Sequence, residues 1–261
     1  MVKFVVKRPL AFVFVLLFSF LAYNIAQASL VPTVSSSWVK LKWEELQIDT
    51  TGDVSYTWIN DPDSDYRFYY AEVGSTVGEV YEWNKLEGTN AWEITLKHKV
   101  SDGINEAKSV SKENVIKASI IFDDDHFVRP VEAYVYRQGY FEVTGNGRIT
   151  FSIPYKAHIE LAPSPSAHVI LWASLDLWTD DENNKLENFM EFTMQRRFPE
   201  HGAESWTTGG WLSVTLPVED GQVIGFGAEV GTMASTPLPG TFGLLGGGLL
   251  IWAIGRKRLK R

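Results

Sequence analysis

Cysteine is absent from all 261 residues. Its absence excludes disulfide staples, thiol catalysis, cysteine-ligated zinc and haem attached through cysteine. A chain without staples rests on the size of its core, which about 200 residues of ordinary composition supply. Histidine is scarce: His98, His126, His158, His168 and His201 are scattered, and no two have the spacing of a metal-ligating pair. The Gly-x-Ser-x-Gly elbow of serine hydrolases and the phosphate-binding loop are missing as well. Helical periodicity is weak, and only 39–46 and 184–190 read as short helices.

Basic charge is in short supply too, and much of it sits at the ends. The chain has 24 Lys and Arg against 32 Asp and Glu. Lys3, Lys7 and Arg8 precede an apolar stretch over 10–22, and Ala26-Gln27-Ala28 then places small residues where signal peptidase reads them. This is the three-part pattern of a secretory leader over 1–28, with cleavage expected between Ala28 and Ser29. At the other end, an uncharged stretch over 242–254 runs into Arg256, Lys257, Arg258, Lys260 and Arg261. Such a basic cluster stays on the cytoplasmic side of a membrane. Without the three basic residues of the leader and the five of the tail, 16 basic face 32 acidic residues, a charge of about −16. So acidic a body is expected to attract cations and to repel nucleic acid.

What fills the body is alternation of period two. Val54-Ser55-Tyr56-Thr57-Trp58, Trp92-Glu93-Ile94-Thr95-Leu96 and Val131-Glu132-Ala133-Tyr134-Val135 each alternate apolar with polar, and Ile149, Phe151 and Ile153 share one face. Further strands are predicted over 115–122, 168–178, 189–194, 211–218 and 222–230. Turn signals separate them: Asn60-Asp61-Pro62, Ser101-Asp102-Gly103, Gly145-Asn146-Gly147, Gly209-Gly210 and Glu219-Asp220-Gly221. The expected fold is all-β, an antiparallel β-sandwich of jelly-roll-like form over 29–230, with two smaller β-domains divided near Pro163-Ser164-Pro165 as the alternative. The small residues of 228–237 read as a connection, with 231–236 as the linker proper. Residues 147–154 and 210–217 share a glycine, alternation and a closing proline, and read as two similar strands.

Little in this body spells catalysis. Carboxylates abound, but no spacing selects a glycosidase pair, so an enzyme is not expected. Asp61-Pro62-Asp63-Ser64-Asp65 begins like a calcium loop but has Tyr66 and Val73 where such a loop needs glycine and glutamate. Asp123-Asp124-Asp125 and Asp180-Asp181-Glu182 are denser; for each cluster a solvated turn competes with a calcium site, and no other cofactor is indicated. The most suggestive feature is aromatic. In the strand over 170–178 the odd positions are small or apolar, which puts Trp172, Ser174, Asp176 and Trp178 on the opposite face. Two tryptophans about 20 Å apart with polar groups between them form a candidate glycan platform. Glu132, Tyr134 and Tyr136 fall together on a strand face in the same way.

The C-terminal pattern has a family behind it. Thr236-Pro237-Leu238-Pro239-Gly240, the glycine-rich apolar stretch with Gly246-Gly247-Gly248, and the basic tail together resemble the PEP-CTERM sorting domains, nearest the variant reading Val-Pro-Leu-Pro-Ala. Leu238 stands where the commoner motif has glutamate, and Thr236 and Gly240 replace the variant's valine and alanine. The resemblance covers 237–261 and implies recognition by an exosortase, a membrane-embedded enzyme of biofilm-forming bacteria. It also implies structural or adhesive work in an exopolysaccharide layer. Leu238-Pro239-Gly240-Thr241 also matches the first four positions of the sortase motif Leu-Pro-x-Thr-Gly, with Phe242 at its final glycine, and a plain membrane anchor is a third reading. A helix over 242–254 would span roughly 20 Å, short of a hydrocarbon core of about 30 Å. That suits a temporary membrane segment.

Overall fold

The computed structural model describes residues 34–59, 68–88, 91–123, 130–163, 168–180, 186–197 and 203–235. The expected leader with Ala26, Ala28 and Ser29, the expected sorting motif Pro237, Leu238, Pro239 and Gly240, and the basic tail lie outside these residues. Among the described residues, no helix is long and apolar enough to cross a membrane.

Among the described residues, fourteen antiparallel strands form two seven-stranded sheets. The first contains β1 (Val34–Leu41), β2 (Gln47–Gly52), β6 (Leu96–Ser101), β7 (Glu106–Lys112), β8 (Val115–Asp123), β10 (Gly147–Leu161) and β13 (Glu204–Val218). Its order is β13-β10-β1-β8-β7-β6, with β2 also beside β10. The second contains β3 (Ser55–Ile59), β4 (Tyr70–Val77), β5 (Val80–Glu87), β9 (Val131–Thr144), β11 (His168–Thr179), β12 (Glu187–Arg197) and β14 (Val223–Ser235). Here the order is β12-β11-β14-β9-β4-β5, with β3 beside β9. From β8 to β11 the chain changes sheet at every connection.

Alternation explains how the sheets pack. Ile149, Phe151 and Ile153 of β10 and Leu171, Ala173, Leu175 and Leu177 of β11 are wholly buried and belong to one core between the sheets. Each large apolar side chain so removed from water contributes roughly 1.5–3 kcal/mol. At one end of the core Trp58, Trp92, Phe141, Phe151 and Phe226 meet mostly edge to face, with ring centroids 4.8–6.2 Å apart. Strands before and after residues 164–167 pair with each other in both sheets, β10 with β13 and β9 with β14, so one core runs through the point of the two-domain alternative. The two similar strands over 147–154 and 210–217 are direct partners, Phe151 opposite Val214.

Several expectations are corrected. Residues 39–41 end strand β1, and only Trp43–Glu45 make a single 3₁₀ turn, so 39–46 is no α-helix. The second expected helix is overturned where it is described, since Glu187 begins β12. Trp92 lies in a turn rather than a strand, because its ring is drawn into the core across Gly139 and its Nε1 donates to the Tyr70 carbonyl at 3.2 Å. Gly209-Gly210 is no turn but the middle of β13. Residues 231–235, expected as linker, complete β14, a central strand of the second sheet. Small side chains there serve close packing on a sheet face, which composition alone does not separate from a flexible connection.

Candidate functional site: the outer face of the second sheet

Strand register collects the aromatic residues. Trp172 of β11, Gly231 of β14, Tyr134 of β9, Gly74 of β4 and Trp83 of β5 lie in one row across five neighbouring strands. The next row towards Trp178 holds Ser174, Glu229, Tyr136, Glu72 and Lys85, and the one after it Asp176, Gly227, Gln138, Tyr70 and Glu87. A further row holds Trp178, Gly225 and Tyr140. The side chains at these positions point away from the core, because the intervening residues Leu171, Val230, Val135 and Val73 are the buried ones.

The glycines decide how the rings lie. A Cβ at Gly231 would fall 2.0 Å from the Trp172 ring, one at Gly225 2.1 Å from Trp178, and one at Gly74 2.1 Å from Tyr134. Each ring is therefore laid flat across a neighbouring backbone, one face on the sheet and the other outward. Asp176 sits over Gly227 in the same manner, with Oδ1 2.5 Å from where a Cβ would be. The rings of Trp172 and Tyr134 are both displaced one strand in the same direction, which leaves them two strands, about 10 Å, apart.

Hydrogen bonds hold the rings in place. Trp172 Nε1 donates to Glu229 Oε1 at 2.7 Å. The hydroxyls of Tyr70 and Tyr134 both donate to Glu72, and the Tyr81 hydroxyl lies 3.0 Å from that of Tyr134. Tyr136 donates to Gln138 Oε1 at 2.9 Å, and Gln138 Nε2 donates to the Tyr140 hydroxyl at 2.7 Å. Tyr140 in turn meets Trp178 edge to face at 6.0 Å. The result is a rigid surface of ring faces interspersed with carboxylates, on which Lys85 stands bonded to Glu87 at 2.6 Å.

Burial, then the hydrogen bond to Glu72 and its charge, push the Tyr70 and Tyr134 hydroxyls above the ordinary tyrosine range. A folded-state pKa raised above the unfolded value of about 10 means the folded protein holds the proton longer, so stability falls as pH rises past that value. The gap between the urea midpoints of wild type and Tyr134→Phe is expected to narrow between pH 8 and pH 11, the variant losing less on the alkaline side. Parallel pH profiles would contradict the linkage.

The sequence placed Trp172, Asp176 and Trp178 on one outward strand face, and the structure unites them with Tyr134, Tyr136 and Glu132 on one sheet. What sequence reasoning missed is Tyr70, Glu72, Trp83 and the glycines, whose role depends on which strand lies alongside. A signal existed in the alternate glycines Gly225, Gly227 and Gly231 of β14, which are too regular for a linker. The calcium candidates fall largely outside the described residues, and among the described residues no three potential metal ligands cluster. No family model matches the chain, and the search of curated proteins finds no relative.

Proposed function

We propose that this chain is an exported surface or extracellular-matrix protein that holds polysaccharide, doing structural or adhesive work in an exopolysaccharide layer without cleaving sugar. The leader ending at Ala28 supports export, and the motif over 237–240 with its apolar stretch and basic tail supports sorting by an exosortase-like enzyme and passage through a membrane. The body is a jelly-roll-like sandwich delivered to the envelope. The observation that carries the binding role is the row in which Trp172 and Tyr134 lie flat over Gly231 and Gly74. Flat, outward ring faces stack on the apolar face of a pyranose, and a separation of about 10 Å suits rings spaced along an extended chain. Glu72, Glu229, Asp176 and Gln138 supply acceptors and a donor for sugar hydroxyls around them.

Mature protein from the host's envelope fraction tests both halves. Its intact mass is expected to end near Pro239 when the sorting enzyme is present; a product ending at Arg261 leaves a simple anchor. On immobilised host exopolysaccharide, the Trp172→Ala/Tyr134→Ala double variant is expected to bind roughly tenfold or more weakly, each ring supplying on the order of 1 kcal/mol. Equal retention of wild type and variant would sink the binding role.

A further inference from the structure

The opposite face of the sandwich has the opposite charge. Register puts Lys156 of β10, Lys40 of β1, Lys117 of β8, Val110 of β7 and Lys97 of β6 in a single row across the first sheet. The adjoining row holds His158, Trp38, Ser119, Lys108 and Lys99. Neighbouring strands are about 4.8 Å apart, so four lysines stand in a line that crosses the sheet over roughly 20 Å. Of the six lysines, only Lys99 has a carboxylate partner among the described residues, Glu106 at 2.8 Å. Glu160, 3.9 Å from His158, borders the strip on the same side as Glu106. The chain as a whole carries −8, so this strip is a local reversal of the molecule's charge.

Like charges directly opposite one another on adjacent strands destabilise a sheet. Here Lys40 faces both Lys156 and Lys117, and Lys108 faces Lys99. Burial, then Lys40 and Lys108, push the Lys117 ammonium below its ordinary pKa. At the centre Trp38 lies stacked on His158 at 5.7 Å, with the Lys40 and Lys117 ammoniums 5.7 and 5.2 Å from its ring centre. The Trp38 ring and the Glu106 carboxylate offset part of this repulsion, and an anion from outside would offset the rest.

We propose that this strip binds an acidic polysaccharide, a linear polymer of sugar rings bearing carboxylates. Three features select it. The ammoniums form a line on a flat face, as a linear polyanion requires. Trp38 gathers two of the ammoniums beside its ring and so concentrates charge at the middle of the line. Trp38 is also half-buried between lysines, so its ring does not project as a wedge into a lipid surface. Duplex nucleic acid carries a charge about every 1.7 Å of its axis, a denser line than one carboxylate per sugar, so the acidic body repels it more strongly. The inference rests on the polysaccharide-layer reading and extends it: the two outer faces look in opposite directions, so one molecule would join an acidic chain on one side to a second chain on the other.

The test uses mature protein and beads bearing polygalacturonate or its uncharged methyl ester. Wild type is expected to bind polygalacturonate at least tenfold better than the ester, and more weakly as salt rises. Lys40→Gln/Lys117→Gln is expected to lose tenfold or more of that binding, with no fall in thermal midpoint because repulsion is relieved. The same variant keeps its retention on host exopolysaccharide in high salt, whereas Trp172→Ala/Tyr134→Ala shows the reverse pattern, so the two faces fail separately. Undiminished binding by the lysine variant, or equal binding of the methyl ester, overturns the proposal. Tighter binding to duplex DNA or to phosphatidylglycerol vesicles also overturns it. So does lysine-dependent self-association without polygalacturonate binding, which would assign the strip to a second copy.

Discussion

Arg137→Ala is expected to lower the unfolding free energy by about 3–5 kcal/mol, read from urea denaturation. Arg137 lies on the core side of β9 and is wholly buried between the sheets. Its Nε donates to Ser111 Oγ at 2.9 Å, and Nη2 donates to the carbonyls of Trp92 at 3.1 Å and Lys112. The guanidinium also lies 4.6 Å from the Trp43 ring centre. Burial pulls its pKa down to about 9, which still leaves it charged at neutral pH. Nη1 has no partner among the described residues. Two effects oppose each other on substitution. Removing the ion ends a desolvation cost of several kcal/mol. Alanine, however, opens a cavity the size of an arginine side chain and leaves three acceptors in the core without donors, each worth about 1–3 kcal/mol. The second effect wins for alanine. Arg137→Met fills most of the space but leaves the same acceptors unpaired, and is expected to lose less by the cavity alone. If alanine and methionine cost the same, volume is not what the residue supplies; if neither costs anything, the arginine does not tie the turn at Trp92 to the β7 end.

Gly231→Ala is expected to cost roughly 1–3 kcal/mol and to weaken retention on exopolysaccharide about as much as Trp172→Ala, although it removes no sugar-contacting atom. In an ordinary strand the same change would gain up to about 1 kcal/mol, since glycine is the more flexible residue. Here the new Cβ would lie 2.0, 2.3 and 2.6 Å from three atoms of the Trp172 ring. The β14 backbone cannot yield, because it is bonded to β11 on one side and β9 on the other. The ring must swing off the sheet, giving up its bond to Glu229 and its flat orientation. The double-mutant cycle separates this account from a general strand defect. In the Trp172→Ala background, Gly231→Ala is expected to be neutral or stabilising, a coupling on the order of 2 kcal/mol. Additive losses would mean that the glycine serves the backbone and not the ring.

These two residues also mark where sequence reading succeeds and stops. Ile149, Phe151 and Ile153 announced their shared buried face, and so did the odd positions of β11, because alternation within one strand is a local property. Arg137 follows Val131, Ala133 and Val135 in the same inward register, yet a lone charged residue in an apolar pattern gives no hint of the acceptors waiting on β7 and in the Trp92 turn. Gly231 reads as linker in the sequence for a similar reason: its meaning is the ring of a residue 59 positions away. Trp92 alternates with its neighbours like a strand residue, but the core around Trp58 and Phe226 draws it into a turn.

By itself, the sequence determined the absence of disulfides, the all-β class, the two-faced character of the long strands and the expectation of export from the two termini. Each of these is set by composition or by residues within a few positions of one another. Only the tertiary structure decided that Trp172, Tyr134 and Trp83 share a row with glycines between them, and that Lys40, Lys97, Lys117 and Lys156 form a line on the other side. Strand order and register set those neighbours, and both depend on the whole core closing at once; no local pattern records which strand comes to lie beside which.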